Sequence, residues 1–296
     1  MYIAIEWTSS AFHAWLMQAD GTVAAEHQSL AGVNSVRDGS FEACLRSEIG
    51  AWLPQSKAIL LSGMVTSRTG WVETPFAMAP AGIADMLAQA IRSDLPNLPP
   101  LYFLPGIARL DPLPDVMRGE EMSIFGMESP LPDLLVLPGA HSKWVRTDGQ
   151  RIVDLTTYMS GEILNLLRRD SLVSRLIPAE YVPNAAAFDR GVEIARDKSL
   201  LRGGVLQRVF SARSLVLFDQ LPPADIADYL AGVVFGSEIV EALAGDDRPD
   251  TVIVLGETPL AASYRRALAQ FGLASPLSSG RPYDGFAKLI AALESR

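Results

Sequence analysis

Two stretches of this chain follow one plan. The first reads "YIAIEW", a polar corner "TSSA", then "FHAWLMQ", Asp20-Gly21 and "TVAAEHQSL". The second reads "DLLVL", a corner "PGAHS", then "KWVRT", Asp148-Gly149 and "RIVDLTTYM". Asp-Gly between alternating segments is a strong short-range hairpin signal, because both central positions of a tight hairpin turn favour positive φ. Trp15 and Trp144 each precede their Asp-Gly turn. The stretches share little identity, so the repeat is one of pattern. It constrains the chain to two related domains, each opened by antiparallel strands.

The rest of the chain alternates between strand and helix patterns. In the first half "AILLSGM" reads as a strand and "GIADMLAQAIRSDL" as a helix, and the proline-rich "DLPNLPPLYFLPG" leads to a further strand. In the second half Ser160 is the expected N-cap of a helix carrying Ile163, Leu166 and Leu167 at helical spacing. The stretch "PPADIADYLAGVVFGSEIVEALAG" reads as a long buried helix ending near Gly245. "TVIVLGE" follows as a buried strand, and "PLAASYRRALAQFG" as a helix closed by Gly272. Hairpins combined with alternating strands and helices predict an α/β fold with mixed sheets. The prolines of "MESPLPD" and the restart of the pattern predict domains at 1–130 and 131–296.

Composition narrows the function. A chain of 296 residues, 49% hydrophobic and 20% charged, has material for one large or two medium cores. A net charge of −9 argues against nonspecific binding to nucleic acid or an anionic membrane, and leaves small-molecule partners open. Cys44 is the single cysteine, which excludes an intrachain disulfide and a cysteine-rich zinc site. His13, His27 and His141 are too widely spaced for a histidine metal centre. The first residues lack a basic stretch and turn polar by Glu6, so no signal peptide is expected. No apolar run approaches the roughly 20 residues of a membrane span, and a cytoplasmic protein is expected.

The corner "PGAHSK" carries the most chemistry. A corner at a strand end can turn several backbone N–H groups toward an anion. Gly139 allows close approach, Ser142 offers a hydroxyl, Lys143 a point charge, and His141 a donor or an acid–base group. Thr8, Ser9 and Ser10 offer hydroxyls and N–H groups at the equivalent corner. Two such loops facing each other across a cleft would clamp a polyphosphate. Elsewhere, Arg68 and Glu73 flank Gly70 and Trp71, suited to a carboxylate and to sugar hydroxyls respectively. Asp115, Arg118, Glu120 and Glu121 gather around Gly119. Gly256 ends a strand where a base or ribose could lie. Read as local structure, these features are a hairpin tip, a surface ion pair and a solvated helix start. The P-loop, the GxGxxG fingerprint and the GxSxG elbow are absent from the sequence.

In combination, "LPGAHSKWV", "TTYMSGEILNLL", "SRTGWVETPF", "PDVMRGEE", "SARSLVLFDQLPPADIADYLAGVVFGSEI" and "VLGETPLAASYRRALAQFG" resemble the 2-dehydro-3-deoxygalactonokinase family, in the family's order and over nearly the whole chain. The resemblance implies an actin/hexokinase-like fold, two ribonuclease-H-like domains around an ATP cleft. It implies ATP- and Mg²⁺-dependent phosphorylation of 2-keto-3-deoxygalactonate at C6. Thr8, Ser9 and Ser10 then match the first phosphate loop, Gly139, Ala140, His141, Ser142 and Lys143 the second, and Gly256 and Glu257 the adenosine region. Glu6 would hold Mg²⁺ through water. Asp115 is the first choice for a base, His141 for a contact to phosphate or sugar, and Arg68, Glu73, Arg118 and Glu120 for the sugar acid. A homodimer is compatible with this reading. The first loop departs from the family's usual Asp-Trp-Gly-Thr-Thr-Asn-Leu-Arg, with Glu6, Thr8 and His13 at the altered places, and Ala140 replaces a threonine in the second. Two further readings therefore stay open: a catalytically weak sugar-acid or nucleotide sensor, and a kinase for a related sugar acid.

Overall fold

The first hairpin forms as the sequence dictates. β1 (Tyr2–Trp7) and β2 (Phe12–Met17) run antiparallel, and β3 (Val23–Ser29) follows the turn at Gly21, where φ is +88°. This computed structural model describes residues 1–197, 199, 204–245 and 249–295. β1 pairs on its other side in parallel with β4 (Ile59–Ser62), and β6 (Ile91–Ser93) and β7 (Leu101–Phe103) complete a six-stranded sheet of order β3-β2-β1-β4-β7-β6. β1 and β4 are covered on both faces, which is why Tyr2–Ile5 and Ile59–Leu61 read as unbroken apolar runs, whereas the edge strand β3 alternates. Ile3, Ile5, Trp7, Phe12, Leu61 and Phe103 centre this core, with Leu45 of α1 (Phe41–Ile49) against them. Each such fully buried aliphatic side chain contributes roughly 1.5–3 kcal/mol.

A small sheet, β5 (Ala77–Met78), β8 (Ile107–Arg109) and β9 (Asp115–Met117), adjoins α2 (Ile83–Gln89) and α3 (Glu120–Phe125) in the same part of the chain.

The second copy of the pattern gives β10 (Leu134–Leu137), β11 (Ser142–Thr147) and β12 (Ile152–Tyr158). With β13 (Ile253–Leu255) and β14 (Leu277–Ser278) they form a sheet of order β12-β11-β10-β13-β14, with β13 parallel to both β10 and β14. The order of the first sheet is thus repeated: the two strands that follow the opening strand in sequence lie on one side of it and a parallel strand on the other.

Among the described residues, five α-helices accompany this sheet: α4 (Ser160–Asp170), α5 (Ala185–Arg196), α6 (Val205–Leu217), α7 (Ile226–Ala242) and α8 (Pro259–Gln270). α7 is buried from Ile226 through Ile239 and lies along α5 at near backbone contact. A Cβ added at Gly232 would fall 2.0 Å from the Phe188 carbonyl oxygen, and one at Gly191 would fall 2.2 Å from that of Tyr229.

The chain divides into two compact units, residues 1–133 with 145–155 and 279–296, and residues 134–144 with 156–278. α9 (Pro282–Glu294) belongs to the first unit, where Phe286 packs near Trp15 and Lys288 donates to the Met127 carbonyl at 2.6 Å.

Three local expectations are corrected. The helix expected through "IRSDL" stops at Gln89, because Ile91–Ser93 pairs with β7 and Ile91 packs on the first core. Ser160 is inside α4 and Met159 occupies the cap position, the Ser160 hydroxyl being bonded to a buried carboxylate instead. The inward face of α4 is led by Leu164, while Ile163 and Leu166 are exposed.

Candidate functional site

In the first unit the site is built at the ends of β1 and β4. Glu6 lies next to the end of β1, with Ser62 as its register partner on β4 and His13 on β2. The chain then turns at Gly63, where φ is +93° and an added Cβ would meet the Trp7 carbonyl oxygen at 2.8 Å. Gly119, with φ +114°, faces Gly63 and opens α3; a Cβ there would lie 3.3 Å from Gly63 Cα. Only glycine suits two backbones this close in this conformation.

The Gly119 N–H donates to both carboxyl oxygens of Glu121, at 2.9 and 2.8 Å, and Ser62 Oγ donates to Glu121 Oε1 at 3.3 Å. The Arg118 N–H donates to Glu120 Oε2 at 2.9 Å. Burial, reinforced by the charge of Glu120, pushes both Glu6 and Glu121 up to about 7. Glu121 is fully enclosed, whereas Glu6 and Glu120 keep some exposure.

Arg118 is held inside the unit. One terminal nitrogen donates to Thr66 O, Thr66 Oγ1 and Thr74 Oγ1 at 2.7, 2.8 and 2.7 Å, the other to Thr74 O at 3.3 Å. The guanidinium also lies 4.3 Å from the centroid of the Phe76 ring. These bonds join the "SRTGWVETPF" block to the "MRGEE" block. Within the former, Arg68 and Glu73 form an exposed ion pair at 3.2 Å, and Trp71 packs on Phe41 and Phe103. Asp115 is on β9 opposite Arg109, its carboxylate 4.0 Å from a guanidinium that also pairs with Asp154 at 3.0 Å.

The corner between β1 and β2 is closed by its own threonine. The Thr8 N–H donates to Ala11 O at 2.9 Å, and Thr8 Oγ1 accepts from the Ala11 N–H at 3.0 Å. The carbonyls of Thr8 and Ser9 accept from Val33 and Asn34, at 2.9 and 3.0 Å. Among the described residues, none accepts from the N–H groups of Ser9 and Ser10.

In the second unit the corner between β10 and β11 shows the same economy. The Glu162 N–H donates to Ala140 O at 3.0 Å, and none of the described residues accepts from the N–H groups of Gly139, Ala140 and His141. His141 Nε2 bonds Glu162 Oε2 at 2.5 Å, both side chains being open to solvent. Ser142 and Lys143 then point to opposite faces, as consecutive strand residues must. Ser142 is fully buried and its Oγ donates to Glu238 Oε2 at 2.9 Å, while Lys143, a buried residue, donates through its ammonium to Thr157 Oγ1 at 2.9 Å. Gly256, with φ +100°, ends β13; Glu257 is exposed after it, and Thr258 caps α8 through the Ala261 N–H at 3.2 Å.

The structure therefore brings together Thr8, Ser9 and Ser10 at one corner and Gly139, Ala140, His141, Ser142 and Lys143 at another. It joins Arg68 to Glu73, and Arg118 to Glu120. Asp115 is tied instead to Arg109. Sequence reasoning missed Ser62 and Glu238, and assigned Glu121 no role. Glu238, the one charge in the otherwise apolar and small-residue stretch "YLAGVVFGSEIV", is the available signal, since a charge is rarely enclosed without partners.

As to metal ions, no group of three or more histidine, cysteine or carboxylate side chains is assembled for one among the described residues. The acidic end of β1 nonetheless suits a hard cation. Mg²⁺ is commonly held by one or two carboxylates with water and phosphate oxygens, and Glu6 is a mostly buried carboxylate whose neighbouring charge is another acid.

Two sheets repeating one strand order, each with corner N–H groups from which none of the described residues accepts, define the class: an actin/hexokinase-like fold, shared with the crystal structure of a xylulose kinase from Lactobacillus acidophilus at a TM-score of 0.50 and 9% identity. The model of the 2-keto-3-deoxy-galactonokinase family matches residues 6–282. "Probable 2-dehydro-3-deoxygalactonokinase DgoK1" of Rhizobium meliloti is 33% identical over 92% of this chain and 90% of its own. The 2-dehydro-3-deoxygalactonokinase of Escherichia coli is 31% identical over the same shares of the two chains. The crystal structure of a "putative 2-dehydro-3-deoxygalactonokinase protein" from Sinorhizobium meliloti superposes with a TM-score of 0.87 at 30% identity, over 100% of this chain and 99% of that one. This chain belongs to the 2-keto-3-deoxy-galactonokinase family, and ATP is the co-substrate that a kinase family implies.

Proposed function

We propose that this protein is a carbohydrate kinase that transfers the terminal phosphoryl group of ATP to the C6 hydroxyl of 2-dehydro-3-deoxy-D-galactonate, in galactonate breakdown. The observation that carries this reading is the family match, which runs from Glu6 to Pro282 and so takes in both corners and the acidic end of β1.

Phosphoryl transfer asks the protein mainly for positioning and charge stabilisation. Ser9 and Ser10 N–H groups at one corner, and those of Gly139, Ala140 and His141 at the other, supply donors from which none of the described residues accepts. Lys143 adds a fixed positive charge at the root of the second corner. His141, its Nε2 held by Glu162, is the exposed ring there. Glu6 would hold Mg²⁺ through water, and the ion would offset phosphate charge when bound. Gly256 and Glu257 are assigned to the adenosine moiety. Glu120, Arg68 and Glu73 keep exposed polar atoms for the sugar acid. Arg118 acts by holding Thr66 and Thr74, and so the segment bearing Arg68 and Glu73. A base at Asp115 would first have to separate from Arg109.

No helix among the described residues is long and apolar enough to cross a membrane, and the cytoplasm is the compartment we assign. The decisive experiment is an ATP/Mg²⁺ assay with 2-dehydro-3-deoxy-D-galactonate and a panel of sugar acids, following ADP release. Turnover fastest with this substrate is expected; folded protein without turnover on any of them refutes the reading.

A further inference from the structure

Glu238 stands within the buried run of α7, 2% exposed. Its Oε1 accepts from the Trp144 indole N–H at 2.6 Å, and its Oε2 accepts from Ser142 Oγ at 2.9 Å and Tyr264 OH at 2.7 Å. The Ser160 hydroxyl is a fourth donor. Enclosure pushes the pKa of this carboxyl up, and the four hydrogen bonds oppose that push.

Two of these donors adjoin the second corner. Ser142 begins β11 directly after it. Ser160 begins α4, whose next residues lie on the corner: a Cβ at Gly161 would fall 2.3 Å from the Gly139 carbonyl oxygen, and the Glu162 N–H donates to Ala140 O. A carboxylate accepts and cannot donate. Its partners must therefore turn their protons toward it, and the Ser142 proton is committed to the interior.

We propose that Glu238 is the positioning residue of the second phosphate corner. It ties the Ser142 end of the corner to the start of α4, which packs on the corner, and withdraws the Ser142 hydroxyl, leaving the N–H groups of Gly139, Ala140 and His141 as the donors presented to phosphate. This rests on the reading of that corner as a phosphate site. An apolar side chain could fill the volume at lower desolvation cost, but it would leave Ser142, Ser160, Trp144 and Tyr264 without their shared acceptor.

The test compares ATP affinity with stability, using calorimetric titration of ATP and thermal unfolding without the sugar acid. Glu238→Gln keeps the shape and can still accept from Trp144, but its amide hydrogens face Ser142 and Tyr264, forcing those hydroxyls to turn. We expect ATP affinity to fall about tenfold. Trp144→Phe removes a donor from the same carboxylate at a residue two positions beyond the corner's end; it should lower thermal stability while changing ATP affinity less than threefold. If Glu238→Gln does not fold, Tyr264→Phe, which strips one donor from the carboxylate and from Ser142, carries the test with an expected loss of about threefold to fivefold. Wild-type affinity in a folded Glu238→Gln or Tyr264→Phe protein overturns the proposal, as does an equal loss in Trp144→Phe. A wild-type protein that binds no ATP refutes the phosphate reading itself, and this inference with it.

Discussion

The fully enclosed Glu121 makes stability depend on pH with a definite sign. Its carboxyl is raised from an ordinary 4.5 to about 7, by burial first and by the charge of Glu120 second. The folded protein binds this proton more tightly than the unfolded chain, so protonation favours folding. The contribution is complete below about pH 4.5, fades as pH rises, and is lost above about 7. A rise of this size corresponds to roughly 3 kcal/mol of preference for the protonated form. Glu121→Gln removes the titration while keeping an acceptor for the Gly119 N–H and a group that can bond Ser62 Oγ. The variant should therefore gain on the wild type by up to roughly 3 kcal/mol between pH 5 and pH 8, or about 1 M in the urea midpoint. Tryptophan fluorescence reads the right unit, since Trp7, Trp15, Trp52 and Trp71, of five in all, lie within residues 1–133. Urea titrations in metal-free buffer at pH 5, 6, 7 and 8 suffice. Glu6 contributes a slope of the same sign in both proteins. A midpoint difference that stays constant from pH 5 to pH 8 would refute the reasoning.

Two substitutions test the scaffold. Gly232→Ala, normally worth about 1 kcal/mol of added helix stability, should instead destabilise the second unit by more than 3 kcal/mol, because its methyl meets the Phe188 carbonyl; a thermal midpoint at or above that of the wild type would contradict this. Arg118→Lys keeps the charge but cannot reproduce the two-nitrogen grip on Thr66 and Thr74 or the stacking on Phe76. It should lower stability by about 2–3 kcal/mol and raise KM for the sugar acid, and steady-state kinetics beside urea unfolding would detect both.

Much of the architecture could be read from alternation alone. β1, β2 and β3, and again β10, β11 and β12, lie where apolar runs, polar corners and Asp-Gly turns put them, because those signals act between near neighbours in sequence. The strand at Ile91–Ser93 could not be read in this way. Its short segment is helical in pattern, and pairing with β7 overrides that preference. The helix α5 likewise has its place set by glycines that let it lie against α7.

The candidate site divides along the same line. Sequence by itself determined the two corners and their residues, since a corner is a local object: Gly139 to Lys143 and Thr8 to Ser10 are contiguous, and their N–H groups need only a turn to be exposed. It also placed Arg118, Glu120 and Glu121 around Gly119. Tertiary structure alone decided which polar atoms remain available. Ser142 faces Glu238 rather than solvent, Arg118 is occupied by Thr66 and Thr74, Asp115 by Arg109, and Glu121 is sealed beneath Gly119. A side chain's type states which bonds it can make. Which bonds it does make depends on partners up to 96 residues away, in the case of Ser142 and Glu238, and on burial that removes water as the competing partner.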